Sequence, residues 1–117
     1  METLTSSLNC KELTHMTVEL KIGGKMAMTL LDTGIVGTNL MSLNWVQSNQ
    51  IQIKKIENPV EIRMAMKNSR ATANYSAKAE IDIGNGKRVS CDFLLLPISS
   101  YDVILGMPFM VKANVIL

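Results

Sequence analysis

The carboxylate of Asp32 is the side chain in this sequence that is best placed to do chemistry. Leu30 and Leu31 run directly into the tripeptide Asp32-Thr33-Gly34, and neither Asp-Thr-Gly nor Asp-Ser-Gly occurs elsewhere in the 117 residues. An apolar strand that ends in an acid on a tight turn can present a proton donor or acceptor in a water-poor cleft. The same three residues also suit an ordinary strand-exit turn, in which the Asp side chain bonds its own backbone.

A second motif lies near the other end of the chain, where residues 101–109 read YDVILGMPF. The pair formed by Leu-Leu-Asp-Thr-Gly and the later Asp-Val-Ile-Leu-Gly-Met-Pro resembles the retropepsin-like aspartic proteases. Within that family the two motifs are most similar to those of gypsy-like LTR retrotransposons. The resemblance extends over roughly residues 14–114, which is nearly the whole chain.

The resemblance implies a role for each residue of the first motif. Asp32 would be the catalytic carboxylate, Thr33 would hydrogen-bond across a subunit interface, and Gly34 would let the substrate backbone approach closely. The residues that would support the catalytic turn are Leu31, Ile104, Leu105 and Gly106.

The resemblance also implies a fold and a flap. We expect an all-β chain, namely a retropepsin-like closed β-barrel protomer with a flap hairpin and one short C-terminal helix. By position, residues 64–75 would form the flap that excludes water from the groove. Met66, Asn68 and Ser69, near its tip, would contact the substrate together with Gly34.

Hydrolysis of a peptide bond by carboxylates requires two of them. One ionised group takes a proton from water, and one protonated group polarises the scissile carbonyl; two carboxylates about 3 Å apart share a single proton and so divide these roles. Because the chain has one Asp-Thr-Gly, the second carboxylate must come from another copy across a two-fold axis. The sequence therefore predicts a homodimer that acts on a peptide or polyprotein.

Three features depart from the family pattern. Ile35 follows the Asp-Thr-Gly turn where the family usually has Ala or Ser, and overpacking by a β-branched side chain there would displace the backbone. Residues 36–38 contain no acid that could grip substrate backbone, and residues 64–75 contain no Gly at the expected flap tip. Ile35 and the flap without Gly motivate the alternative of a catalytically weak or inactive module of the same fold, whereas the missing acid means that one substrate contact of the family cannot be carried over.

The rest of the chain alternates apolar and polar residues between turn signals about ten residues apart, which indicates a β-barrel or sandwich. Gly23-Gly24 and Gly84-Asn85-Gly86 predict hairpins, Ser42 can cap a short helical or turn segment, and Pro59 is expected to break any single long strand. The predicted strands are residues 16–22, 26–31, 38–41, 72–83 and 89–96, with β alternation on either side of Pro59, a turn at 67–70 and a helix at 109–114.

Composition excludes several other classes of function. Twelve Lys+Arg against ten Asp+Glu give a net charge of +2, and the paired cations at residues 54–55 and 87–88 suit solvated strand edges, so we expect no nucleic acid. His15 is the single histidine and no Gly-x-Ser-x-Gly occurs, which excludes a Ser-His or Cys-His mechanism. Cys10 and Cys91 form no metal-binding pattern, so we expect free thiols, no metal and no cofactor.

We expect residues 1–13 to form an N-terminal tail and residues 14–117 to form the protease protomer. No run approaches the length of a membrane span and no signal sequence is recognisable, so we expect an intracellular, cytoplasmic protein with no membrane partner. The apolar residues 115–117 fit either a segment excised from a polyprotein or a terminal strand that pairs across a dimer.

Three functions remain open at the level of sequence. The first is a homodimeric aspartic endopeptidase that cuts a retroelement polyprotein, including the sites flanking itself. The second is a dimerisation or peptide-binding module that keeps the fold without full activity. The third is a cellular protease of the ubiquitin-shuttle type, whose members usually sit in longer chains beside a ubiquitin-like segment.

Overall fold

The computed structural model describes residues 15–35, 37–64 and 69–114. Within these residues the chain forms seven strands and two short helices. The strands are β1 His15–Ile22, β2 Lys25–Asp32, β3 Leu40–Ser42, β4 Ile53–Met64, β5 Ser69–Gly84, β6 Lys87–Leu96 and β7 Val103–Leu105; the helices are α1 Leu43–Ser48 and α2 Met107–Lys112.

Six of the strands close into a barrel. The order of hydrogen-bonded neighbours is β1-β2-β7-β3-β6-β5, and β1 pairs again with β5 at Lys21 and Ile22, which closes the ring. Strand β4 lies outside the ring and pairs with β5 as the outer arm of a hairpin. The predicted all-β closed barrel is confirmed, with α1 as a second short helix besides the predicted C-terminal one.

Two tight turns set the barrel's hairpins. Gly23 and Gly24 join β1 to β2 with φ angles of 58° and 80°, and Asn85 and Gly86 join β5 to β6 with φ angles of 55° and 74°. Positive φ at both central residues matches the right-handed twist of the flanking strands. Both hairpins were predicted from these residues, and both predictions are confirmed.

Four local predictions were wrong in detail. Pro59 does not break the strand, because β4 runs continuously through it as an edge strand. The pairing of β4 with β5 shifts register between Lys55 and Val60. At that position the missing N–H of proline costs no hydrogen bond of the ladder. Ser69 and Arg70 are not in a turn but begin β5. The strand expected at 38–41 begins two residues later, because β3 is Leu40–Ser42. The helix expected at 109–114 begins and ends two residues earlier.

Two apolar clusters lie on opposite faces of the sheet. The barrel core includes Leu20, Ile22, Leu31, Met41, Phe93, Leu95, Val103, Leu105, Phe109 and Met110. The second, which we call the hairpin cluster, consists of Leu30, Leu40, Ile62, Ala73, Leu96 and Ile104. Successive residues of a strand face opposite sides, so the apolar pairs of β2, β3, β6 and β7 each give one residue to each cluster. The hairpin of β4 and β5 thereby packs on the face that carries Leu30 and Ile104.

Cys91 is a free cysteine on β6 inside the barrel core. Burial raises the pKa of its thiol; the nearby charge of Lys112 opposes this shift, and Asp92 adds to it. The thiol is therefore protonated and unreactive at neutral pH. Cys10 lies outside the described residues.

Across residues 15–35, 37–64 and 69–114, no helix has the length and apolar character needed to span a bilayer.

Candidate active site

Asp32 is the last residue of β2, and its half-buried side chain sits where the strand leaves the sheet. The preceding Leu31 is fully buried in the barrel core. The N–H of Gly34 donates to Asp32 Oδ1 at 2.9 Å, and the N–H of Ile35 donates to the Asp32 carbonyl at 3.2 Å. The first of these bonds is also the one that an ordinary Asx turn makes. It fixes the carboxylate in place without assigning its role.

Strand β7 supports the turn from inside the sheet. Its three residues pair in parallel with β2, where Ile104 and Leu105 lie beside Leu30 and Leu31, and antiparallel with β3 on the other side. Ile104 and Leu105 are both buried. The motif near the C-terminus is thereby brought directly beside the strand that ends in Asp32, and its role in supporting a catalytic turn stays a prediction.

Gly106 fits against the loop that carries Asp32. A Cβ atom at this position would lie 2.5 Å from the carbonyl oxygens of both Ile35 and Thr38, closer than van der Waals contact allows. The next residue, Met107, donates its N–H to the Ile35 carbonyl at 2.7 Å. With φ −99° at Gly106, what demands glycine here is space and not an unusual backbone angle.

The remaining predicted site residues are distributed as follows. Thr33 is half-buried and Gly34 is exposed in the turn after β2, while Ser69 is the first residue of β5 and pairs with Met64. Met66 and Asn68 lie outside the described residues. The hairpin expected at 64–75 exists, but it is longer than expected because its first arm is the whole of β4. Its role over a groove stays a prediction.

Comparison with known proteins decides the family. The sequence profile described as retroviral aspartyl protease matches residues 6–117. The chain belongs to the retroviral aspartyl protease family. Among solved structures, that of EIAV protease complexed with the inhibitor HBY-793 is similar with a TM-score of 0.68 and 18% identity, covering 88% of this chain and 91% of that one. At this identity the likeness shows the fold. No curated protein matches the chain in sequence.

Ile35 is accommodated in this aspartyl protease domain. Its side chain is half-buried and packs against the hairpin cluster. A Cβ on Gly106 would lie only 3.0 Å from the Cβ of Ile35, so the missing side chain of Gly106 leaves room for the Cβ of residue 35. Ile35 therefore makes favourable apolar contacts in the hairpin cluster.

We therefore expect the Ile35→Ala variant to gain no activity. Removing the side chain takes apolar contacts from the hairpin cluster and should lower the free energy of unfolding by about 1–3 kcal/mol, below the usual range for a fully buried residue because Ile35 is half-buried. Thermal unfolding and cleavage rates measured side by side would test this. A faster variant would show that the native Ile35 does strain the turn.

In this aspartyl protease domain, two residues that precede strands around the candidate site make long-range hydrogen bonds that the sequence did not predict. Asp102, just before β7, donates its N–H to the Met28 carbonyl and accepts the N–H of Met28 on its carboxylate at 2.8 Å. Its carbonyl accepts the N–H of Ser42 at 2.8 Å. Asn39, just before β3, is buried and accepts the N–H of Gly106. Asp102 belongs to the motif at residues 101–109, so the sequence had already drawn attention to it. Asn39 lies in the strand predicted at 38–41, where nothing in the sequence distinguished it.

Proposed function

We propose that this aspartyl protease domain is a homodimeric endopeptidase in which the Asp32 carboxylates of two chains together activate a water molecule. The observation that carries the proposal is a half-buried carboxylate, fixed by Gly34 N–H, on a loop into which Gly106 fits without space for a Cβ. A preorganised acid of this kind is what general acid–base catalysis needs. One such turn per chain makes a second chain necessary.

The two carboxylates would divide the chemistry between them. The ionised one accepts a proton from the attacking water, and the protonated one donates its hydrogen bond to the scissile carbonyl oxygen. The proton held by the pair is then returned to the leaving amine as the tetrahedral intermediate collapses. The N–H of Gly34 keeps Oδ1 of each Asp32 aimed through these steps, and Thr33 of each turn would hydrogen-bond to the other chain.

The substrate we propose is a retroelement polyprotein of the gypsy-like LTR type, cut in the cytoplasm and including sites that flank the protease. Apolar side chains lie beside the Asp32 turn in the hairpin cluster, which favours hydrophobic residues next to the scissile bond. The hairpin of β4 and β5 adjoins the same cluster, so its tip, with Met66, Asn68 and Ser69, would cover a bound peptide and exclude water.

A dimerisation or peptide-binding module without full activity is the second candidate function. The specific observation in its favour is that residues 64–75, at and after the hairpin tip, contain no glycine. A tip that lacks glycine has fewer backbone conformations available for closing over a substrate. Such a module would bind peptides through the same groove but release them uncut.

Cleavage of a denatured protein mixture across a pH series separates the two candidates. We expect activity at acidic to near-neutral pH, falling at higher pH when the carboxylate pair loses its shared proton and at lower pH when the pair gains a second one. Statine-type peptides should inhibit, because their hydroxyl group sits between the carboxylates as the transition state does. Peptide binding without cleavage at any pH would favour the inactive module, and a flat rate across the series would count against the pair.

A further inference from the structure

Asn39 is a buried polar side chain that uses both ends of its carboxamide. The residue is 2% exposed. Its Oδ1 accepts the N–H of Gly106 at 3.0 Å, and its Nδ2 donates to the carbonyl of Asp92 on β6 at 3.3 Å. Burial of an amide is costly unless its donor and its acceptor are both satisfied. The arrangement meets that condition in one orientation of the carboxamide only.

The backbone of Asn39 is anchored as firmly as its side chain. Its carbonyl accepts the N–H of Leu94 at 2.9 Å and the hydroxyl of Thr38 at 2.9 Å. Since β3 then pairs in parallel with β6 from Leu40 onward, the position of the carboxamide is set by β6, a long strand of the barrel wall. The carboxamide therefore connects the β6 wall of the barrel to the backbone N–H of Gly106.

From Gly106 the connection continues to Asp32 through contacts described above. Gly106 lies so close to the carbonyls of Ile35 and Thr38 that an added Cβ would be 2.5 Å from each oxygen, and Met107 donates its N–H to the Ile35 carbonyl. Ile35 in turn donates its N–H to the carbonyl of Asp32. A shift of Gly106 would consequently move the loop on which the carboxylate stands.

We infer that Asn39 is a positioning residue for Asp32, acting by fastening Gly106 to the barrel wall; the inference rests on the proposed function. It touches neither the proposed substrate nor the reacting oxygens. Its contribution is to hold the junction of β7 and α2 so that the Asp32 loop keeps one geometry. In the dimer each chain would supply one such contact, so both carboxylates depend on it.

Two substitutions test the role. Asn39→Leu keeps the number and branching of the side-chain heavy atoms and removes both hydrogen bonds, leaving the N–H of Gly106 without its partner. We expect kcat to fall about 10- to 100-fold, as for a displacement of a catalytic group by up to about 1 Å, with KM changed less than about threefold. Hydrogen exchange of the Gly106, Met107 and Ile35 amides should become roughly tenfold faster or more.

Asn39→Asp is the conservative variant, and it adds a pH signature. A neutral carboxyl group can accept from Gly106 and donate to the Asp92 carbonyl as the carboxamide does. When ionised, it keeps the first bond and loses the second in a buried place, and burial disfavours the charged form. We therefore expect kcat near the native value at low pH and a loss relative to the native profile as pH rises.

Ile81→Val serves as the stability control, because Ile81 is fully buried in the barrel core on β5 and belongs to no part of the site. It should lower thermal stability while leaving kcat and the exchange of the Gly106 amide unchanged, with rates measured well below every unfolding midpoint. Native kcat and native amide protection in Asn39→Leu would overturn the inference. So would an equal loss of kcat in Ile81→Val.

Two further outcomes are also decisive. If Asn39→Leu does not fold, the pH profile of Asn39→Asp decides: a profile parallel to that of the native protein overturns the inference, and the expected divergence supports it. If the native protein cleaves nothing at any pH, the proposed function fails. The amide exchange comparison then still shows whether Asn39 holds the Asp32 loop.

Discussion

The Asp32→Asn variant is expected to lose cleavage by about 10⁴-fold while keeping its fold. The loss is large because both chains of the proposed dimer would lose the group that exchanges protons with water and substrate. The fold survives because an Asn side chain offers the same Oδ1 acceptor to Gly34 N–H, which is bonded at 2.9 Å in the native turn. Cleavage assays and thermal unfolding of the purified variant give the two measurements.

The barrel contains a matched control for this substitution. Asp82 accepts the N–H of Gly84 on its Oδ1 at 2.9 Å, the same local bond over the same spacing, but it stands near the β5–β6 turn, beside Lys21 of β1. Asp82→Asn should therefore leave cleavage unchanged. Retained cleavage in Asp32→Asn, or an equal loss in Asp82→Asn, would refute the catalytic role of Asp32.

Mixing the native chain with Asp32→Asn tests whether the site is shared. If each active site needs one carboxylate from each chain, a mixed dimer is inactive, and the active fraction falls with the square of the native fraction. An inactive variant that merely dilutes the mixture would reduce activity in simple proportion. Linear behaviour, with subunit exchange verified separately, would show that one chain works alone and would contradict the homodimeric mechanism.

Gly106→Ala is expected to have the second-largest effect. The added Cβ would lie 2.5 Å from the carbonyls of Ile35 and Thr38, and both are backbone atoms that cannot rotate away. Overpacking of this kind costs about 1–3 kcal/mol or more in the free energy of unfolding. Because the displaced backbone carries Asp32, we also expect a loss of kcat on the order of 100-fold. Denaturant unfolding and cleavage kinetics measure the two effects.

Gly37 provides the control within the same loop. A Cβ there would meet no atom within 4 Å, and the residue is exposed. Gly37→Ala should change the free energy of unfolding by less than about 0.5 kcal/mol and leave kcat as it is. If Gly106→Ala behaved like Gly37→Ala, the tight contact between the Asp32 loop and the end of β7 would not position the carboxylate.

Much of the secondary structure could be predicted because it depends on neighbouring residues. Gly23-Gly24 and Asn85-Gly86 adopt the positive φ angles that their turns require, and Ser42 accepts the N–H of Trp45 as the N-cap of α1. The continuous β4 was not predicted, because proline is tolerated on an edge strand and the sequence does not show which strand is at the edge.

The neighbourhood of Asp32 was predicted only through resemblance. Local pattern indicated a strand that ends in an acid, but nothing in the spacing placed residues 103–105 between β2 and β3. The burial of Asn39 could not be foreseen either. Because Asn39 precedes the apolar Leu40, an alternating strand pattern predicts that the Asn39 side chain faces solvent. Only its hydrogen bond to Gly106 explains why a polar residue is buried there.

The sequence by itself determined the hairpin turns, the alternation that splits apolar residues between two clusters, and the single Asp-Thr-Gly from which we propose a second chain. These properties reside in backbone angles and in side-chain chemistry, which neighbouring residues specify. The tertiary structure alone decided that β7 lies beside β2, that Gly106 leaves room for Ile35, and that Asn39 joins β6 to the site. Those contacts join segments far apart in the chain, and closure of the barrel selects them because it must satisfy all its strand pairings and its core packing at once.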